Sequence, residues 1–335
     1  MKNVVVLGGC GYIGDCVTEN LLDAGCNVTV VDNLMYGGTY MRRHIPKSSS
    51  RKMLNESKGA GTLTFVGADI TTKTVRDLIS DFKWDAVIHL AAIVGDGACA
   101  SKPELTLAVN EVATKDIAEI CARKNIKLIF ASTASVYGAN NEMLDEQSPT
   151  NPLSLYAGTK LAAEQFVKLV PNHLIFRLGT VFGVSTEFAR LRCDLVANVL
   201  TYKAVRGEAL TVFGGEQWRP LIHVRDVGRV FAMAALEDKP PGTYILSSGN
   251  FTIRDVALLI KRIVAPEVKV NITDMKFEDQ RNYKVSGAKA EAAGFTTQMS
   301  LIDGIQEMRD VVVSGRVADV WSPAFHNAEY LKGVK

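Results

Sequence analysis

A tyrosine and a lysine, Tyr156 and Lys160, stand four residues apart at the start of a helical pattern. On a helix that spacing places both side chains on one face, one turn apart. An ammonium group near a phenol stabilises the phenolate and lowers a phenol pKa that is about 10 in isolation. A tyrosine with its pKa near neutrality can take a proton from an alcohol and return it to a ketone. The pair therefore predicts proton transfer at a substrate oxygen.

A glycine-rich segment follows the first apolar run of the chain, which covers residues 4–7. The segment reads Gly8-Gly9-Cys10-Gly11-Tyr12-Ile13-Gly14 and leads directly into a helical pattern. A tight turn there directs backbone N–H groups and the helix N-terminus toward a pyrophosphate, which the helix dipole also favours. Gly11 would admit the phosphates closely, and Gly14 would let helix and strand pack closely. The arrangement predicts a dinucleotide-binding turn.

The second apolar run, residues 27–31, ends in Asp32 and Asn33. A carboxylate at this point accepts hydrogen bonds from the adenosine ribose and repels a 2′-phosphate, which favours NAD over NADP. The alternative is that Asp32 only begins a turn. Asp69 follows the third apolar run and either contacts the adenine or forms a turn.

Apolar runs alternate with longer helical patterns through the first half of the chain. We expect strands over 3–7, 27–31, 62–66, 86–90, 127–131 and 173–177. Helices are expected over 13–24, 74–82, 104–124 and 155–170. Continuous apolar strands separated by helices are typical of a parallel sheet covered on both faces. The predicted fold class is therefore α/β, with a doubly wound parallel sheet.

The elements after residue 178 are shorter and mixed. We expect helices over 194–206, 225–236, 253–264, 287–293 and 301–312, and strands over 209–213, 244–246 and 268–272. Residues 1–178 should form the dinucleotide-binding domain with Tyr156 and Lys160, and residues 179–335 a smaller mixed α/β substrate-binding domain, with an interleaved boundary. Residues 36–61 are rich in Ser, Lys and Arg and are expected to form a surface insertion, either a solvated loop or a phosphate contact.

The composition of the 335 residues excludes several classes of protein. Hydrophobic residues make up 47% and charged residues 22%, as in a globular protein and unlike a disordered one. The net charge of +2 gives no reason to expect nucleic acid or an anionic membrane as partner. No apolar run approaches the roughly 20 residues that span a bilayer. The six cysteines show no metal-ligand spacing, so we expect reduced core thiols in a cytoplasmic protein and no metal site; a disulfide framework is the alternative.

The glycine spacing, Asp32, Asp69-Ile70 and His89-Leu90-Ala91-Ala92 together resemble the extended short-chain dehydrogenase/reductase family. That family includes NAD-dependent epimerases and dehydratases of nucleotide sugars, so the resemblance implies a Rossmann-type fold that binds NAD. One departure is Asp15, where Ser is usual; a carboxylate there is unfavourable near a pyrophosphate unless it points away. The implied NAD-binding residues are Gly8, Gly11, Tyr12, Ile13, Gly14, Asp32, Asn33, Asp69, Ile70, Leu90, Ala91, Ala92, Asn110, Tyr156 and Lys160.

The resemblance assigns catalysis to Tyr156, Lys160 and Thr133. Thr133 matches the family residue whose hydroxyl binds the reacting sugar oxygen. Ser132 beside it is either a second candidate for that role or a cap of the strand. Asn110 either supports the active site, as an asparagine does in the family, or faces solvent.

Dehydration is not expected of this chain. The 4,6-dehydratases of the family carry Thr-Asp-Glu where this sequence reads Thr133-Ala134-Ser135, so both carboxylates that eliminate water are missing. Reversible oxidation at C4 of a sugar needs only a tyrosine, a lysine, a threonine and NAD. The resemblance therefore implies oxidation at C4.

The segment 213–227 is similar to the family segment whose arginine, here Arg219, binds the nucleotide diphosphate. Arg281 matches a second arginine near the diphosphate and ribose, and a guanidinium fork suits paired phosphate oxygens. A surface salt bridge is the alternative for each. His223 is expected to be structural. Residues 184–193 and the helix from 194 should cover the sugar, whose identity stays open because Thr180 stands where the 4-epimerases have Asn.

Three functions remain from the sequence. The leading hypothesis is a C4 epimerase of a nucleotide-diphosphate sugar that holds NAD tightly and works through a 4-keto intermediate. The second is a net NAD(H)-dependent C4 dehydrogenase or reductase, because the same residues serve it and only cofactor exchange differs. The third is a non-catalytic NAD-binding regulator. By analogy with the family we also expect a homodimer that pairs through the helices of the tyrosine and asparagine segments.

Overall fold

The computed structural model describes residues 1–37, 55–58, 61–187, 189–273, 281–317 and 319–333. The insertion expected over 36–61 therefore lies mostly outside the described residues. Its part at Asn55–Lys58 is a strand rather than a loop, paired antiparallel with the strand that follows.

The central feature is an eight-stranded sheet in the order β12-β8-β6-β5-β1-β2-β4-β3. Seven of its strands run parallel and β3 is an antiparallel edge strand. All six strands predicted in the first half belong to it, which confirms the doubly wound α/β fold. The strands are β1 Asn3–Leu7, β2 Asn27–Asp32, β3 Asn55–Lys58, β4 Gly61–Gly67, β5 Ala86–His89, β6 Lys127–Thr133, β8 His173–Leu178 and β12 Gly242–Leu246.

Helices cover both faces of this sheet because its strands are apolar on both faces. Successive side chains of β1 point in opposite directions, and the four apolar ones at residues 4–7 are all buried. Val4 and Val6 pack with the helices α1 (Tyr12–Asp23) and α8 (Val224–Leu236), while Val5 and Leu7 pack on the opposite face. The helices of that face are α2 Lys73–Asp81, α3 Asp96–Ser101, α4 Pro103–Leu107, α5 Ala113–Lys124 and α6 Leu155–Val167.

The helix predicted over 104–124 is interrupted. Between α4 and α5 the chain forms one turn of π-helix at Ala108–Val112. Such bulges are rare and are frequent at functional sites. This one contains Asn110, whose side chain is buried.

The second half builds smaller sheets around a separate core. The helices α7 Val196–Val205, α9 Ile253–Val264 and α11 Leu301–Val313 enclose that core. α8 and β12 return to the main sheet, so the second half contributes to both units. The remaining elements are β7 Ala139–Leu144, β9 Thr180–Phe182, β10 Leu210–Phe213, β11 Trp218–His223, β13 Gly249–Thr252, β14 Val270–Thr273, β15 Asn282–Val285, α10 Ala288–Ala292 and α12 Asn327–Gly333.

The strand order determines where a ligand can bind. The chain moves outward from β1 to β2 and β4 on one side, and to β5, β6, β8 and β12 on the other. In open α/β sheets, the crevice at the carboxyl ends of the strands where this order reverses is the binding site. Here that crevice lies at the ends of β1, β2 and β5.

Candidate active site

The glycine turn follows β1 and begins at Gly8, whose φ of +82° favours glycine. A Cβ on Gly14 would lie 2.2 Å from the carbonyl oxygen of Gly8, so the first turn of α1 can approach the strand only without a side chain there. A Cβ on Gly11 would instead lie 3.4 Å from the same carbonyl oxygen, which is an ordinary contact distance. Gly11 is the N-cap of α1 and provides no side-chain cap, which leaves the first-turn amides at the crevice.

Asp32 lies at the end of β2, beside this turn. Its Oδ2 accepts a 3.0 Å hydrogen bond from the Cys10 N–H, and its Oδ1 accepts one of 2.8 Å from the Leu34 N–H. Burial raises the pKa of Asp32 above its ordinary value, although these two bonds oppose the shift. The carboxylate therefore holds both the glycine turn and its own loop in place. Asp32 thus begins a turn, the alternative that the sequence left open, and it also lines the crevice where a ribose could bind.

Asn33 and Asp69 are joined across the ends of β2 and β4. The Asn33 side chain donates a 2.7 Å hydrogen bond to Asp69 Oδ2. Burial tends to raise the pKa of Asp69, but hydrogen bonds from Thr71 and Asn33 outweigh burial and lower it. Asp69 also accepts the Thr71 N–H at 2.9 Å, so it forms the turn that the sequence allowed.

A single cavity of about 1440 Å³ extends from the glycine turn to residues of the second half of the chain. Of the predicted site residues, only Asn110 is not in its wall. The predicted residues that line it are Gly8, Gly11, Tyr12, Ile13, Gly14, Asp32, Asn33, Asp69, Ile70, Leu90, Ala91, Ala92, Thr133, Tyr156, Lys160, Arg219 and Arg281.

Tyr156 and Lys160 project from the first turns of α6, which is capped by the Ser154 side chain. Thr133 ends β6, and its hydroxyl also accepts a 3.1 Å hydrogen bond from the Ser135 N–H. The Lys160 ammonium is buried and lies 4.1 Å from the centre of the Phe130 ring. The structure thus brings the three predicted catalytic side chains to one cavity.

The expected low pKa of Tyr156 is not found in the protein alone. Burial raises the pKa of its phenol, and the charges of Cys99 and Asp96 add to the rise, while the Thr133 side chain and Arg192 oppose it. Burial also lowers the pKa of Lys160 to about 7, despite attraction from Glu164. The prediction combined the Lys160 ammonium with a positively charged nicotinamide, so it stays a prediction for the NAD-bound site; in the protein alone, desolvation by the surrounding fold dominates.

A buried ion pair lies one turn beyond Lys160. Glu164 is fully buried and accepts hydrogen bonds from Arg177 Nε at 3.0 Å and from Arg177 Nη2 at 2.8 Å. Ser132 donates a 2.5 Å hydrogen bond to the same carboxylate. Ser132 therefore connects the end of β6 to α6. The sequence had predicted neither this contact nor this role, but binding of the sugar oxygen or capping of the strand.

Asn110 is neither exposed nor in the cavity wall. Its Oδ1 accepts the Ile93 N–H at 2.8 Å, and its Nδ2 donates to the Ile93 carbonyl at 3.0 Å and to the Thr159 hydroxyl at 3.3 Å. The solvent-facing alternative is wrong. Asn110 instead joins the loop after β5 to the helix that carries Tyr156 and Lys160, and its place in the cofactor set is not supported by contact with the cavity.

Asp15 points away from the crevice. Its carboxylate is buried, accepts a hydrogen bond from the Thr186 hydroxyl, and is absent from the cavity wall. Asp15, which stands where the family usually has Ser, thus connects α1 to the loop that contains Thr186.

His223 is also buried. Its Nδ1 accepts a 3.2 Å hydrogen bond from the Arg225 N–H and caps α8.

The two predicted substrate arginines meet at the cavity. Arg219 is buried and donates hydrogen bonds to the carbonyl of Trp218, at 2.8 Å, and to that of Arg281. Arg281 forms an ion pair of 3.3 Å with Asp96 and donates a 3.3 Å hydrogen bond to Ser135 Oγ. The sequence allowed a surface salt bridge as the alternative role of Arg281. Arg281 does form a salt bridge, but both partners line the cavity.

The sequence did not identify a second cationic group in the wall. Arg190 and Arg192 both line the cavity, as does Asp194, which holds Arg192 through two hydrogen bonds of 2.6 and 3.0 Å. The residues 184–193 had been expected to cover the sugar as a segment, without individual roles. The Arg-x-Arg-x-Asp spacing was the available signal.

The described residues contain neither a metal-binding cluster nor a membrane-spanning helix. Within the described ranges no group of three or more His, Cys, Asp or Glu side chains is arranged to hold a metal ion. No helix of the described chain combines the length and apolar character needed to cross a membrane. All six cysteines are buried and free, which confirms the prediction of core thiols.

Comparisons with known proteins agree with this geometry. Residues 4–247 match the model of the NAD dependent epimerase/dehydratase family, and the chain belongs to that family. UDP-glucose 4-epimerase 2 of Arabidopsis thaliana is 26% identical, over 97% of this chain and 96% of its own. UDP-glucuronic acid decarboxylase 1 of Danio rerio is 25% identical, over 91% of this chain and 71% of its own.

A solved structure extends the similarity to three dimensions. UDP-N-acetylglucosamine 4-epimerase from Methanobrevibacter ruminantium, solved with UDP-N-acetylmuramic acid, superposes with a TM-score of 0.77 and 25% identity. The match covers 94% of this chain and 99% of that one. The resemblance to the extended short-chain dehydrogenase/reductase fold is thereby confirmed.

Proposed function

We propose that this protein is an NAD-dependent epimerase that inverts C4 of a nucleotide-diphosphate sugar through a 4-keto intermediate. The observation that carries the proposal is that Thr133, Tyr156 and Lys160 line the same cavity as the glycine turn and Arg219 and Arg281. A site for a dinucleotide, a site for a diphosphate and a proton-transfer group thus share one space. The two 4-epimerases among the compared proteins support the same conclusion.

The residues present fit NAD. The amides of the first turn of α1 stand at the crevice, Gly11 leaves room for phosphate oxygens, and Asp32 presents a carboxylate at the end of β2. We assign to NAD the cofactor-binding residues that the family resemblance implies, except Asn110, which does not line the cavity. Bound NAD would supply hydride transfer at C4 and a positive charge beside Tyr156.

The protein's own groups handle the proton. With its pKa raised by burial, Tyr156 holds its proton at rest and can deliver it to a keto oxygen. For oxidation, the phenol must lose that proton, and Lys160, one turn along the same helix, would supply a positive charge that stabilises the tyrosinate. Thr133 holds a hydroxyl at the end of β6, from which it can orient the reacting oxygen. Lys160 changes charge near pH 7, so both protonation states are accessible at neutral pH.

Arg219 and Arg281 would hold the diphosphate of the substrate. Both guanidinium groups line the cavity, and Arg281 is held by Asp96 and Ser135. A planar fork of donors matches paired phosphate oxygens. Holding the diphosphate while the sugar stays free to turn would allow hydride to return to the opposite face of the keto-sugar.

The test is turnover with UDP-glucose and other sugar nucleotides, followed by analysis of the product sugar. We expect a C4 epimer to form without accumulation of free NADH. A change in NADH that is proportional to product would instead support the net dehydrogenase or reductase. If no C4 chemistry occurs with any sugar nucleotide, the catalytic proposal is wrong.

A matched pair of tyrosine variants assigns the proton-transfer group. Tyr156→Phe should lower kcat by about 10²–10⁴-fold, the usual contribution of a general acid–base group. Tyr244→Phe is the control, since its hydroxyl bonds to the Pro240 carbonyl at 2.7 Å, outside the cavity. Full turnover by Tyr156→Phe would mean that another group transfers the proton, whereas absence of turnover in the unaltered protein would support the non-catalytic regulator.

We also propose a homodimer in the cytoplasm. Leu107 and Val112, which flank Asn110 in its helical stretch, are 42% and 56% exposed, as expected of side chains that a second copy covers. The six free thiols suit a reducing compartment. A monomeric mass in light scattering at micromolar concentration would contradict the dimer.

A further inference from the structure

Two loops flank the glycine turn. In the sheet β1 lies between β2 and β5, so the loops after those two strands border the turn on either side. Tyr36 belongs to the loop after β2 and Val94 to the loop after β5, and both line the cavity. A segment that contacts both residues therefore bridges the two loops that border the glycine turn.

Residues 319–333, which we call the C-terminal clasp, contact both loops. The side-chain amide of Asn327 donates a 3.1 Å hydrogen bond to the Val94 carbonyl. The ring of Tyr330 lies 5.5 Å from the ring of Tyr36, measured between centroids. Asn327 is 4% exposed and lines the cavity. The clasp thus spans the crevice, and it lies outside the residues matched by the family model.

The clasp is anchored in its middle and through its last helix. Leu331 is buried in the core beneath the main sheet, and α12 packs against α3. The Phe325 carbonyl accepts a 3.0 Å hydrogen bond from the Cys193 N–H, and the Asn327 N–H donates one of 2.9 Å to Asp194 Oδ2. The segment is therefore packed against both halves of the molecule.

Arg190 joins the clasp to the cofactor side of the crevice. Its Nη1 donates a 2.7 Å hydrogen bond to Asn327 Oδ1, and its Nε donates one of 2.6 Å to the Ala324 carbonyl. The guanidinium carbon lies 4.8 Å from the centre of the Tyr36 ring. Arg190 is only 8% exposed, yet within the described chain neither its Nη2 nor the Tyr36 hydroxyl has a hydrogen-bond partner. Two buried donors at a cavity wall call for an acceptor from a ligand.

We propose that the clasp, held by Arg190 and Asn327, closes over bound NAD and limits its exchange with solution. The acceptor for Arg190 and Tyr36 would be an oxygen of the dinucleotide. The inference rests on the proposed function in one respect: retention of the cofactor is what separates internal hydride return from net oxidation or reduction. The clasp thus decides between the two reactions that Tyr156, Lys160 and Thr133 can serve.

The first test measures NAD dissociation with no sugar present. Protein loaded with the fluorescent analogue etheno-NAD is mixed with excess NAD, and the release rate is followed. Asn327→Ala and Arg190→Gln should each release the analogue roughly 10–100-fold faster than the unaltered protein, as expected for loss of a buried charge-assisted hydrogen bond. Lys332→Ala, whose side chain is exposed on the same helix, is the control and should not change the rate.

A second variant tests the clasp without removing any of its contacts. A Cβ on Gly97 would lie 3.4 Å from that of Ala328, close to the spacing of a disulfide. In Gly97→Cys/Ala328→Cys, loaded with NAD before oxidation, release should slow at least tenfold and recover with dithiothreitol. Unaltered protein treated with the same oxidant is the control.

The outcomes are separable from those of the epimerase assay. Unchanged release in Asn327→Ala and Arg190→Gln, or release from the oxidised disulfide variant at the rate of the reduced one, would overturn the clasp. If those rates change as expected but no sugar nucleotide is turned over, the proposed reaction fails while the clasp stands. Loss of folding in Asn327→Ala leaves the disulfide variant to decide.

Discussion

Arg177 binds the fully buried carboxylate of Glu164 through two hydrogen bonds of 3.0 and 2.8 Å. The pair joins β8 to α6 one helical turn beyond Lys160. Glu164 also contributes the attraction that favours the Lys160 ammonium. The electrostatic environment of Lys160, the proposed catalytic lysine, therefore depends on a structural ion pair.

Glu164→Gln should destabilise the protein by about 3–5 kcal/mol, because it leaves the buried Arg177 guanidinium without its counter-charge. The measurement is the urea midpoint of unfolding. Glu119→Gln is the control, since Glu119 pairs with Lys115 on the surface of α5 at 3.9 Å and both side chains are at least half exposed. Equal midpoints for the two variants would show that the buried pair contributes nothing beyond a surface pair.

Lys160→Met should abolish turnover and raise stability at neutral and acidic pH. Burial lowers the pKa of Lys160 from 10.5 to about 7, so the native state bears the full cost of the buried ammonium below pH 7. Between pH 7 and 10.5 the unfolded chain binds a proton that the native protein lacks, so the stability of the unaltered protein rises with pH there. The advantage of the variant should therefore shrink by at most about 1.4 kcal/mol per pH unit.

Thermal unfolding from pH 6 to 10 measures this difference. Lys115→Met, which removes an exposed lysine of α5, is the control for loss of charge alone. An offset between Lys160→Met and the unaltered protein that stays constant over the whole range would mean that Lys160 does not titrate in this window.

Two glycines of the same turn should respond differently to alanine. Gly14→Ala places a Cβ 2.2 Å from the Gly8 carbonyl oxygen and should prevent correct packing of α1 on β1. A Cβ on Gly11 would lie 3.4 Å from its nearest neighbour, so Gly11→Ala should fold and melt at the temperature of the NAD-free unaltered protein. It should lose bound NAD because its methyl group fills the phosphate site. NAD content after gel filtration and thermal unfolding are measured together. Retention of NAD by Gly11→Ala would contradict the assignment of the phosphate site.

Local sequence patterns determined the fold class, the glycine turn and the helix that carries Tyr156 and Lys160. The run from β1 into Gly8–Gly14, the alternation of apolar strands with helices and the spacing of Tyr156 and Lys160 each depend on near neighbours in the chain. Backbone geometry converts such spacings into a turn, a parallel sheet and a shared helix face, so the fold and the placement of Tyr156 beside Lys160 on one helix were predictable. The edge strand β3 and the short elements after residue 178 were harder to predict, because short segments carry little hydrophobic periodicity.

Residues that act through distant partners were decided only by the tertiary structure. Asn110 faces inward because a π-turn rotates it toward Ile93 and Thr159, and Arg190 meets Tyr36 and Asn327 from positions far apart in the chain. Burial raises the pKa of Tyr156 in the protein alone, an effect that its spacing to Lys160 does not report. Desolvation and long-range contact depend on everything that packs around a group. Neighbours in sequence do not contain that information.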